Sequence, residues 1–308
     1  MAAPVRATQN FVAHMGFCRR HPALAGLEIA WRWLFGIPLL LVIWQQVTRV
    51  AAETPPDSVG LDKLVLTNPW LSSHLLANAA EVYSPAATDV MRWLLPVGIV
   101  VWSVLSGLGR TVILARMARQ TDGSGAGFLK RIPAVILLQL VWAVAFVGVM
   151  RLWLGTVAWD AHEHLIGATG AAEPDLEGFL VWLILISLAL YVIWAAVSWV
   201  LTVAPVVLLW ERRSLLNAVG RSFRLGREFS SKLAEINLVM QIVRIALLVL
   251  ALVFSSAPLP FSDQLGTDSL RYLYVLIAIL WLVASDYFHV VRLKSFVELW
   301  RMYGADIL

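Results

Sequence analysis

APVVLLWERRSLLNAVGRSFRLGREFSSKLAE, residues Ala204 to Glu235, decides how this chain is built. It starts inside an apolar run, leaves that run at Trp210-Glu211 and turns into a basic segment. On a helical wheel at about 100° per residue, Leu215, Leu216, Val219 and Phe223 share one arc with Gly226. Arg213, Asn217, Arg221, Arg224, Arg227 and Glu228 share another. An apolar stripe beside a cationic one suits a helix lying on an anionic membrane surface. The stretch therefore reads as the end of one membrane span, an interfacial basic helix, and the approach to the next span.

The composition agrees with that reading. Sixty per cent of residues are apolar and 14% are charged, with 15 Trp. The mean hydropathy is +0.77, outside the range of soluble domains. Indole rings favour the headgroup level of a bilayer. The net charge of +4 belongs to basic loops on one side of a membrane rather than to a nucleic-acid surface. Cys18 is the only cysteine, so no intrachain disulfide forms, and it reads as a small buried filler beside Arg19-Arg20. No cleavable signal peptide is expected, because the first apolar run begins late and carries Arg32 and Pro38.

Working outward, hydropathy places six spans at about 29–48, 93–116, 132–159, 178–209, 236–254 and 271–291. Residues 1–28 form a cytoplasmic amphipathic segment in which Phe11, Met15 and Cys18 recur at helical spacing, and Pro22 ends or restarts the helix. Residues 49–92 read as the longest loop, with a short surface helix from Trp70 to Tyr83. Residues 293–308 read as a cytoplasmic tail. The glycines at 123, 125 and 127 mimic a nucleotide loop, but no strand precedes them, so a connector is expected. The N-terminus, the loops after spans two and four, and the tail are rich in Lys and Arg. The other three loops are acid-rich, and Asp160 to Glu177 holds no Lys or Arg. All seven segments fit both ends in the cytoplasm. The fold class is all-α: a polytopic membrane protein of six transmembrane helices with amphipathic interfacial helices.

The segment after span four resembles a family of bacterial six-span proteins. It includes the membrane domain attached to some glycerophosphoryl diester phosphodiesterases, and stand-alone relatives. The residues that carry the resemblance are Ala204-Pro205-Val206-Val207, Glu211, Ala218, then Arg221-Ser222-Phe223-Arg224-Leu225 with Arg227. The usual basic-then-glycine ending is replaced by Gly226-Arg227-Glu228. The resemblance implies a membrane module in the bacterial inner membrane, no hydrolase activity and no catalytic residues to carry over.

Two constellations could carry chemistry. Ser103, Ser106 and Arg110 share a face of span two; Asn237, Gln241 and Arg244 share a face of span five. With Gln139 in span three and Asp286 in span six, they form an intramembrane polar cluster. A charge facing lipid costs about 2.5–3.5 kcal/mol, so these faces should point inward, with Asp286 paired to Arg244 or Arg110. The cluster reads either as a lock on helix packing or as a cytoplasm-facing cavity for an anion. His162 and His164, beside Asp160, are weak metal candidates because a helix would turn them apart; otherwise no metal, cofactor or nucleophile motif is present. His289 reads as an interfacial side chain. The functional expectation is a non-enzymatic membrane module: an accessory or scaffold subunit touching anionic phospholipid, or another membrane subunit, through Arg213, Arg221, Arg224 and Arg227. The alternative is a transporter or lipid-handling protein using the polar cavity. No nucleic acid is expected as a partner.

Overall fold

A computed structural model describes residues 7–63, 69–123, 125, 127–166, 175–228, 230–256 and 267–304. No strand occurs among them. The helices are α1 (Ala7–Arg20), α2 (Pro22–Glu53), α3 (Pro69–Asp122), α4 (Ile132–Ala161), α5 (Leu176–Trp210), α6 (Leu215–Glu228), α7 (Ser230–Ser256) and α8 (Thr267–Gly304). Six of them, α2, α3, α4, α5, α7 and α8, are long and apolar enough to cross a membrane, the architecture of a multi-pass membrane protein. Their outer faces are apolar: Leu40, Leu41 and Trp44 of α2, Ile184 and Leu188 of α5, and Val249, Leu252 and Val253 of α7 are all exposed. Such continuous apolar surface needs lipid to cover it.

The helices outrun the expected spans. Pro22 stands at the first turn of α2, where a missing N–H costs nothing, so the helix starts early enough to include Glu28 and Arg32. The surface helix expected at 70–83 is the first part of α3, which continues without a break through Pro85 and Pro96. At 54 residues, α3 is about 80 Å long and projects well past any bilayer. The segment expected as a tail from residue 293 is the last turns of α8. Leu293, Phe296 and Val297 are buried there, and residues 305–308 lie outside the described part.

The packing order fixes where a cavity can form. α5 packs on α4, α4 on α3, α3 on α2, α2 on α8 and α8 on α7, while α5 also touches α8. The spans thus form an arc whose two ends, α5 and α7, scarcely meet. Two elements touch both: α6, which joins them in sequence, and α8. Within the arc, the glycines of α3 permit close approach. A Cβ on Gly107 would lie 2.8 Å from the Ile136 Cα of α4, and one on Gly109 would strike the Trp31 ring of α2. Arg110, directly after Gly109, lines the cavity described below.

The turn from α5 to α6 is tied at three carbonyls. Arg131 donates to the backbone oxygens of Leu208, Arg212 and Arg213 at 3.2, 2.6 and 2.5 Å. A cation at a helix C-terminus is favourable in itself, and here it holds Arg212 in the left-handed region at φ 51°. α6 then folds back on α5, burying Ala218, Ser222 and Leu225. That face of small residues falls between the two arcs seen on the wheel. α1 packs along α8, where His14 hydrogen-bonds the Ser295 hydroxyl at 2.8 Å.

Candidate functional site

The polar residues of the spans form two very different sites. The first surrounds Glu211, whose side chain is 2% exposed. Its carboxylate accepts from Arg213 Nε at 2.6 Å and Trp300 Nε1 at 3.0 Å, and lies 3.6 Å from Arg221 Nε. It therefore clamps the start of α6, the middle of α6 and the end of α8 together. Arg221 does not join a free cationic stripe. It turns into the protein, while Arg224 and Arg227 stay exposed. On the other arc Leu216 and Phe223 are exposed at 80% and 60%.

The second site is a cavity of about 1290 Å³ between α5 and α7. Five arginines line it: Arg32 of α2, Arg110 of α3, Arg227 of α6, Arg244 of α7 and Arg292 of α8. One carboxylate lines it, Glu235. Gln139, Asn237 and Gln241 also reach its wall. Five of the six residues of the expected intramembrane cluster thus meet here.

The sixth, Asp286, is buried behind the wall and has a different partner from the one expected. Asp286 Oδ1 accepts from Arg32 Nη1 at 2.8 Å, not from Arg244 or Arg110. Arg32 also donates to Glu28 Oε1 at 2.6 Å, so two buried carboxylates share one guanidinium. The reason is packing order: α2 lies against α8, whereas α7 presents Arg244 to the cavity. Glu28 further accepts from Trp31 Nε1 at 2.9 Å.

The remaining arginines have no carboxylate within salt-bridge distance among the described residues. Arg110 donates to His289 Nε2 at 3.2 Å, and Arg292 donates to Asn237 Oδ1 at 2.8 Å. Arg110 and Arg244 lie close enough to Arg292 for their charges to act on it. Arg244 sits near the middle of its 21-residue apolar stretch, Glu235–Ser255. Gln139 accepts from Ser106 at 2.9 Å, while Ser103 bonds back to the Ile99 carbonyl of its own helix. Above the arginines the wall is aromatic. Trp142 and Trp194 are 5.5 Å apart and both pack on Phe146.

Sequence reasoning missed Glu28, Arg32, His289 and Arg292 as parts of this site. A signal was present: Glu28 and Arg32 are four apart, and Asp286, His289 and Arg292 recur every three residues, so each set shares a helix face.

The histidines at 162 and 164 do not come together. His164 Nδ1 lies 2.9 Å from the fully buried Asp160 carboxylate, and His162 is exposed. No group of three or more metal-ligating side chains occurs among the described residues. The chain matches no family model, no curated protein and no solved structure.

Proposed function

We propose that this chain is a non-enzymatic protein of the bacterial inner membrane, with both ends in the cytoplasm, that binds an anionic ligand in the arginine-lined cavity. This is the lipid-handling or transport reading. One observation carries it. Arg244 occupies the middle of a span, on the cavity wall, with no carboxylate beside it among the described residues. A cation at that depth costs about 2.5–3.5 kcal/mol even on lenient scales. A bound anion offsets that cost; a packing role does not explain it, since intramembrane charges normally pair.

The accessory-subunit reading rests on α6. Its exposed Leu216 ridge and the neighbouring Arg224 suit a lipid surface or a partner helix. The likeness to the membrane domain of glycerophosphoryl diester phosphodiesterases is part of the proposal. Its support is that Glu211 and Arg221, two of the matching residues, form the clamp that fastens α6.

The test is mass spectrometry of the protein extracted in its native lipid without detergent. An anionic ligand should copurify with wild type and be lost from Arg244→Gln. An identical copurifying set in wild type and in an Arg110→Gln/Arg244→Gln double variant would sink the cavity reading. A stoichiometric protein lost on Leu216→Ser would favour the accessory subunit. Orientation is tested in a Cys18→Ser background carrying Glu163→Cys. Labelling from the cytoplasmic side alone would reverse it.

A further inference from the structure

We infer that the ligand is a lipid with a dianionic phosphate headgroup, and that it enters sideways through the slot between α5 and α7. The inference rests on the anion-binding reading and adds the substrate class and the route.

Charge balance gives the headgroup. At the inner end of the cavity stand Arg32, Arg110, Arg244 and Arg292, with Glu28 and Asp286 as the carboxylates that reach them. Both carboxylates bond Arg32, and Glu28 also lies 3.6 Å from His289 Nε2. Three guanidiniums are left to repel one another, and the cluster carries two positive charges more than negative. Arg227 at the mouth shares the wall with Glu235 and adds no net excess. A single negative charge leaves the cluster unbalanced, whereas a phosphate monoester, close to −2 near neutral pH, balances it.

Hydrogen bonding points the same way. Three buried polar atoms of wall residues have no partner among the described residues: His289 Nδ1, Arg292 Nε and Trp102 Nε1. Arg110 can only donate to His289 Nε2, so the histidine proton sits on Nδ1. All three atoms are then donors. Three unpartnered donors beside the arginines are completed by an acceptor with several oxygens, and a planar guanidinium matches phosphate well.

Shape gives the route. The volume exceeds the roughly 300–1,000 Å³ of ordinary small-molecule sites. One wall is a face of α5, with Tyr191, Trp194, Ala195 and Ser198. The facing wall is α7, with Leu238, Gln241 and Arg244. These two helices scarcely touch, and α6 and α8 are the elements that meet both. Beyond α6 the slot opens on the apolar outer surface, where Tyr191 and Leu238 are exposed. A soluble anion does not need that opening or the tryptophan wall; an acyl chain does.

The experiment titrates the purified full-length protein by native mass spectrometry with four probes: phosphatidic acid, phosphatidylglycerol, glycerol 3-phosphate and inorganic phosphate. Phosphatidic acid should bind about tenfold more tightly than phosphatidylglycerol, the scale of one added charge-assisted contact. Arg244→Gln should abolish that preference and Arg244→Lys should keep most of it, neither with a lowered melting temperature in the ligand-free protein. Filling the slot with Ala195→Trp and Leu238→Trp should reduce lipid binding and spare glycerol 3-phosphate. Equal affinity for the two lipids overturns the dianion. Tight, Arg244-dependent binding of glycerol 3-phosphate with no gain from acyl chains overturns the lipid and the route, and leaves the anion-binding reading standing. If no probe depends on Arg244 or Arg292, both fall.

Discussion

The Glu211 clamp and the α5–α7 cavity are built from the same residue types and solve opposite problems. At Glu211 one buried carboxylate is surrounded by Arg213, Arg221 and Trp300: Arg213 and Trp300 hydrogen-bond it, and Arg221 stands in ion-pair contact at 3.6 Å. In the cavity, arginines gather with few carboxylates and several donors are left over. A satisfied buried network fixes geometry. An unsatisfied one stores a cost that a ligand can relieve. On the proposed reading the difference separates structural from binding arginines, and it can be broken in four ways.

Arg32 should give the largest effect, because it is the cavity's one structural arginine. Arg32→Met leaves Glu28 and Asp286 buried without a cation, a loss of roughly 3–5 kcal/mol. Thermal unfolding in detergent reads it. Adding Asp286→Asn to the Met variant should recover part of the loss, since the two residues are in direct contact and couple. Equal, additive losses would mean that the 2.8 Å pair carries no energy. Glu211→Gln comes next, at roughly 3 kcal/mol, the low end for a broken buried pair because Arg213 still reaches water. Its signature is local: α6 should loosen and become cleavable by trypsin after Arg224 before the spans unfold.

How far the sequence carried depends on whether a property is local. Spans are local, because a run of apolar side chains must meet lipid whatever its neighbours do, and all six long helices fall where hydropathy puts them. Helix order around the arc is not local. Arg32 and Asp286 are separated by 254 positions, and nothing in either span announces that α8, which packs on both α2 and α7, gives Asp286 to the arginine of α2. Inward-facing polar faces were therefore legible at Arg110, Gln139, Asn237, Gln241 and Arg244, while the partner of Asp286 was not. The wheel at α6 failed for a related reason. It separated greasy from charged residues, but the buried face is made of Ala218 and Ser222. Small residues let backbones approach closely and carry little hydropathy signal.

Arg244→Gln should move stability the other way. Removing an uncompensated cation from mid-span should leave the ligand-free protein unchanged or stabilise it, by at most about 3 kcal/mol, while anion binding falls. A destabilised ligand-free variant would place Arg244 with the structural arginines. Measuring the melting temperature with and without phosphatidic acid separates the cases: the lipid should raise the wild-type value and leave the variant where it is.

The smallest effect belongs to a third buried polar contact, His14 against α8. Burial, and then the neighbouring Lys294, hold its pKa below the usual histidine value, with Glu298 opposing weakly. The unfolded chain takes up a proton at about pH 6.5, and the folded chain resists it. Below that pH the unfolded state binds more protons, so stability falls as pH drops from about 6.5 toward the folded pKa and then levels off. His14 accordingly stabilises as a neutral ring, and α1 should be the first helix to leave the bundle on acidification. Hydrogen exchange of α1 compared at pH 7.5 and pH 5.5 tests this, with His14→Gln as the control that keeps a polar contact to Ser295 and removes the titration. If wild type and His14→Gln show the same pH response, the ring does not link α1 to pH, and the acid sensitivity of this end of the bundle lies elsewhere.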